Sequence, residues 1–116
     1  MRYERDIKQW TKEYAIRIVK TSINLKKLGV DYALREQFIK SGTSIGANVK
    51  EAKASSSKRE LIRFYEIALR SANETDYWNE VIEKGYEIEA KVFEAVTDDL
   101  VEITKVLTSI IIKLKG

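Results

Sequence analysis

SKRELIRFYEIALRSANETDYWNEVIEKG, residues 57–85, decides the fold. Within it Leu61, Tyr65, Ala68, Ala72, Thr75, Asn79 and Ile82 recur in an unbroken alternation of four and three. That spacing stacks side chains along one face of an α-helix. Ser57 followed three residues later by Glu60 reads as a capping box, in which hydroxyl and carboxylate each satisfy an orphan backbone N–H of the new helix. Gly85 marks the far end. The core positions of this helix are small and partly polar, so its neighbour across the core has to be large and aliphatic.

That neighbour follows directly. Phe93, Val96, Leu100, Ile103, Leu107, Ile110 and Leu114 repeat the same alternation with nearly all large apolar side chains, and small facing large packs well. Upstream, Leu34, Phe38, Ser41, Ile45, Val49 and Ala52 trace another stripe, which the run Ser55, Ser56, Ser57 interrupts. Further upstream, Ile7, Trp10, Tyr14, Ile18, Thr21, Leu25 and Leu28 form a fourth. Gly29 offers its C-terminal stop, and Asp31 is the expected N-cap of the helix that follows. The chain holds no proline and only five glycines, so few breakers interrupt these elements. Short connections force antiparallel neighbours, and the expected fold class is all-α, an antiparallel up-down-up-down four-helix bundle. A chain of 116 residues suits a single such domain spanning 1–116, able to bury roughly two thirds of its unfolded surface.

Composition narrows the chemistry. There is no cysteine and no histidine. Disulfides, thiolate nucleophiles, sulfur-ligated metal sites, imidazole proton shuttles and the Glu-x-x-His pairs of di-iron bundles are therefore all excluded. No cofactor is expected, and the chain is expected not to be an enzyme. A hydrolase built on Glu51 and Glu74 is the remaining catalytic alternative, with no nucleophile and base pair beside them. No apolar run approaches the ~20 residues of a membrane span, and MRYERDIKQW lacks the apolar core of a signal peptide, so no membrane partner and a cytoplasmic location are expected.

Two features exceed what a bundle core can absorb. At ~100° per residue, Ile16, Val19 and Ile23 point almost opposite the main stripe of the first helix, and Ile67, Trp78 and Val81 lie off the seam of the third. Self-association would cover these six residues; a rotated first helix or shielding by the stems of Lys12 and Lys20 is the alternative. Charge is also divided. Residues 1–60 carry +7 and residues 61–116 carry −4, within a net +3. Lys8, Lys12, Lys20, Lys26, Lys27, Lys50, Lys53, Lys58 and Arg59 are the candidates if the basic half contacts RNA or DNA. Complementary surfaces meeting head-to-tail between subunits, or plainly solvated helix faces, fit the same division.

Polar residues run close to the core. Ser44, Asn48 and Glu51 form one ridge beside the second stripe, while Ser71 and Glu74 sit midway along the third helix. The economical expectation is a hydrogen-bond network between helices that sets their register. Gly42 and Gly46, four apart, leave a groove suited to close helix packing or a local kink. Trp10, Trp78 and six tyrosines fall at helical spacing, which favours core or interface packing over base stacking.

From Tyr32 onward the text takes a recognisable form: Tyr32-Ala33-Leu34 with Gln37, Ser44-Ile45-Gly46-Ala47-Asn48-Val49-Lys50-Glu51-Ala52, Ser57, Glu60, Phe64-Tyr65-Glu66-Ile67-Ala68-Leu69 and Ser71-Ala72-Asn73-Glu74-Thr75. This resembles the bacterial four-helix-bundle family of proteins encoded in intervening sequences of 23S ribosomal RNA genes, the S23 type, to which the accessory variability determinant of diversity-generating retroelements is related. The resemblance implies a ring-like homopentamer with little chemistry, that is, a homo-oligomeric scaffold or accessory protein. Its alternative is a nucleic-acid-binding accessory subunit that partners a reverse transcriptase. Family members often carry glycine where Ala52 stands and proline near Gly46; neither difference threatens the bundle.

Overall fold

Helix ends, read in order, show how the chain turns. The structure, a computed structural model, describes residues 6–116. Residues 1–5, the start of the MRYERDIKQW segment discussed above, lie outside the described residues. Helix α1 spans Ile7–Lys27 and opens on Asp6, whose carboxylate accepts from the Lys8 N–H at 3.0 Å. It closes on a Schellman turn. The Val30 N–H reaches the Leu25 carbonyl at 3.0 Å and the Gly29 N–H reaches Lys26 at 3.1 Å, with Gly29 at φ 88°. This is the left-handed geometry that favours glycine.

Helix α2 spans Tyr32–Lys53. Asp31 occupies its N-cap as expected, but its side chain caps nothing; its backbone N–H instead donates to the Tyr86 hydroxyl at 3.0 Å. Helix α3 spans Lys58–Gly85, and the Ser57 hydroxyl accepts from the Glu60 N–H at 3.1 Å. Only the serine half of the expected capping box forms. Gly85 ends the helix where expected, yet the turning residue is Glu87 at φ 52°, with Ile88 N–H bonded to the Glu83 carbonyl at 2.9 Å. A non-glycine residue thus carries the left-handed position of a second Schellman turn. One 3-10 turn, Ala90–Val92, leads to helix α4, Glu94–Lys115.

The four helices pack all-α, each against its sequence neighbours, with α1 and α4 closing the bundle most loosely and α1 diagonal to α3. Among the described residues there is no strand. The molecule measures 44 × 28 × 20 Å, and its long dimension matches the ~42 Å of the longest helix. The expected stripes fill one contiguous core, from Trp10, Tyr14 and Ile18 through Phe38, Ile45 and Val49 to Ile103 and Leu107. Phe38 and Phe93 meet edge to face, centroids 6.4 Å apart, and join α2 to the start of α4.

Three stripe positions shift. Leu28 is exposed and Val30, beyond the Schellman turn, is buried in its place. Thr21 is half-buried and its neighbour Ser22 buried. Ile111 is more deeply buried than Ile110, because a straight helix drifts by ~20° per heptad against a strict seven-residue repeat.

Gly42 and Gly46 line the α1–α2 contact, as their spacing suggests. A Cβ on Gly46 would stand 2.9 Å from the Thr11 backbone oxygen, and one on Gly42 would stand 2.7–2.9 Å from three carbons of the buried Ile18 side chain. Absence of a side chain is what lets the two helices approach.

Candidate functional site

Of the polar residues singled out from sequence only Ser71 is buried; Ser44 and Asn48 are half-buried, and Glu51 and Glu74 are exposed. The inter-helix network expected of Ser44, Asn48, Glu51, Ser71 and Glu74 is not formed. The Ser44 hydroxyl donates to the Lys40 carbonyl at 2.6 Å, and the Asn48 amide donates to the Ser44 carbonyl at 2.8 Å, both within α2. Ser71 is buried in α3, where its carbonyl accepts from the Thr75 hydroxyl at 2.7 Å. Glu51 and Glu74 are exposed on different helices, and Glu74 accepts from the indole N–H of Trp78 at 3.4 Å. The physical reason is local: a Ser, Thr or Asn in a helix reaches the carbonyl one turn back without help from another element.

Register is tied elsewhere. The Asn79 amide donates to the Thr97 hydroxyl at 2.8 Å, joining α3 to α4 from a buried position, and the second amide atom, Oδ1, has no partner. The Tyr14 hydroxyl donates to the Val96 carbonyl at 3.2 Å, joining α1 to α4. Burial, reinforced by the negative charges of Asp99 and Asp76, pushes the Tyr14 phenol far above its ordinary range, so it remains a neutral donor. Asn79 stands in the α3 stripe, and an amide among the small and partly polar core positions was the signal available for it; nothing in the spacing singles out Thr97.

The outer face of α1 is the principal surplus surface. Ile16, Val19 and Ile23 are 49%, 43% and 55% exposed. Ile7, Trp10, Tyr14, Ile18 and Leu25 of the main stripe are all buried, so α1 keeps its expected orientation apart from the exchange of Thr21 for Ser22. Beside the exposed residues runs a groove of about 420 Å³ between α1 and the 3-10 turn with the start of α4, walled by Ile16, Arg17 and Lys20 on one side and Val92 and Ala95 on the other. The Arg17 guanidinium approaches Asp99 to 3.7 Å across it.

The second surplus group, on α3, divides. Trp78 packs against the core, while Ile67 and Val81 are half-buried. The exposed aromatic on this face is Tyr77, which meets Trp78 edge to face at 5.1 Å. Tyr77 was not singled out from sequence, though its place one residue before Trp78 puts it ~100° further around the helix, away from the core.

The basic residues are exposed and scattered over several sites. Lys8, Lys12 and Lys50 line a cleft of about 250 Å³ between α1 and α2, floored by Gly46 and Ala47. Lys53 and Lys58 flank the serine linker at one end of the bundle, in a cleft of about 520 Å³, and Arg59 follows on the first turn of α3. Lys20 belongs to the α1–α4 groove, and Lys26 and Lys27 close the last turn of α1. Among the described residues no group of three or more carboxylates is arranged to hold a metal ion, and no helix is long and apolar enough to cross a membrane.

These features define a four-helix-bundle protein whose distinctive surfaces are an exposed apolar stripe and scattered lysine clefts. Residues 4–109 match the family described as 23S rRNA-intervening sequence protein, and the chain belongs to that family. Its fold is similar to the crystal structure of a protein of unknown function from the S23 ribosomal protein family from Bacteroides thetaiotaomicron. The two share 38% identity and a TM-score of 0.81 over 91% of this chain and 98% of the other. No curated protein matches the chain.

Proposed function

We propose that this protein is a non-catalytic, self-associating scaffold or accessory protein of the 23S rRNA intervening-sequence type, working as a homo-oligomer, with the ring-like pentamer of the resemblance as its form. The observation that carries the reading is the exposed stripe of Ile16, Val19 and Ile23 on a helix whose other face is fully committed to the core. A soluble protein rarely leaves three large aliphatic side chains on one helix face in water. Light scattering behind a sizing column, at low and high salt, is the test. The expected mass is a stable multiple of 13.4 kDa; a clean monomer at every concentration would falsify self-association.

A second reading rests on the cleft between α1 and α2. There Lys8, Lys12 and Lys50 converge over Gly46 and Ala47, which suits a phosphate backbone and so a nucleic-acid accessory subunit that partners a reverse transcriptase. Charge reversal of Lys12 and Lys50 is then expected to weaken binding to duplex and RNA–DNA hybrid and to flatten its salt dependence by about one unit of slope per lost phosphate contact. Unchanged affinity and slope would remove this reading.

A further inference from the structure

Two outward faces of the bundle complement one another in charge and in apolar content, and they lie where they cannot meet within one molecule. On α1, Ile16, Val19 and Ile23 are exposed. Lys12, Lys20 and Lys27, all exposed, fall within about 40° of Ile16 around the helix, so lysines are set into the apolar stripe itself, with exposed Glu13 as an acidic neighbour about 60° away. On α3, Tyr77 is 60% exposed beside half-buried Val81 and Trp78. Exposed Glu74, Asp76 and Glu80 surround it. Of the cations on that face, Lys84 is already held by Glu80 at 3.2 Å, and Arg70 stands at the N-terminal end. Because α1 and α3 are diagonal in the bundle, the two faces point to opposite sides of the molecule.

Resting on the self-association proposed above, we infer that the α1 face of one copy docks on the α3 face of the next. Pairing α1 with α1 would set lysine against lysine, and pairing α3 with α3 would set carboxylate against carboxylate. Either arrangement also leaves the other face in water. The α1-to-α3 contact buries both faces and sets Lys12, Lys20 and Lys27 against Glu74 and Asp76, with Glu80 shared with Lys84 of its own helix. A contact between two different faces is heterologous: every copy gives one and receives one, and repetition closes into a ring when the rotation allows.

The chain has no cysteine of its own, so introduced thiols report on this contact without background. Val19 and Asn73 are exposed positions on the two faces. With a short thiol-to-thiol crosslinker, the double variant Val19→Cys/Asn73→Cys is expected to give a covalent ladder, whereas Val19→Cys alone and Asn73→Cys alone give none. A covalent dimer from Val19→Cys alone means that the α1 face pairs with itself and overturns the inference. No crosslinking in the double variant, while the unmodified protein still scatters as an oligomer, overturns the pairing of faces but leaves self-association standing. A monomeric mass for the unmodified protein removes both, and its sedimentation with vesicles of anionic lipid would then assign the α1 face to a membrane surface.

Discussion

Gly46 holds its α-carbon so close to α1 that an added methyl would sit 2.9 Å from the Thr11 oxygen and 3.1 Å from the carbon bearing it. Backbone cannot yield as a side-chain tip can. Alanine is the better helix former by ~1 kcal/mol, so propensity alone makes Gly46→Ala stabilising. Overpacking against main chain costs about 1–3 kcal/mol, which equals or exceeds that gain. Gly46→Ala is therefore expected to lower stability in urea titration, and a rise in the midpoint would show that α1 moves aside freely. The close approach was legible in the spacing of Gly42 and Gly46. That a carbonyl opposes one glycine and an isoleucine side chain the other was not, because it depends on how α1 is rotated against α2.

At the scale of helices, the α1–α4 pair is the loosest closure of the bundle, and Tyr14 bridges it through the Val96 carbonyl. Its buried phenol stays protonated in the folded state, while the unfolded chain ionises near 10. Above that pH the folded state holds one more proton than the unfolded state, so stability falls as pH rises. Tyr14→Phe is expected to cost about 0.5–1.5 kcal/mol at neutral pH through the lost hydrogen bond. It should also make stability decline less steeply above pH ~10 than in the parent. Denaturant melts at pH 7 and 10.5 check both; an unchanged alkaline slope would mean that the phenol ionises freely. The helices themselves were legible, because residues three and four apart must share a face. The α1–α4 bridge was not, since it joins residues separated by 82 positions.

At the scale of the whole molecule, the proposed burial of the α1 stripe in an assembly would make association part of the folding free energy. The melting temperature is then expected to rise with protein concentration, and Ile23→Glu, a change at an exposed site, to abolish that dependence without reducing helix content. A melting temperature independent of concentration in the parent would place the stripe outside any assembly. The sequence alone determined the four helices, the core face of each, the antiparallel order and the surplus apolar stripe. These follow from periodicity and short connections, which are local properties of the chain. Tertiary structure alone decided which polar residues join helices, Asn79 with Thr97 and Tyr14 with Val96 in place of Ser44, Asn48, Glu51, Ser71 and Glu74. It also decided that the α1 and α3 faces point apart. A hydroxyl or amide finds its own helix's carbonyl unless another element lies within reach, and reach is set by packing in three dimensions.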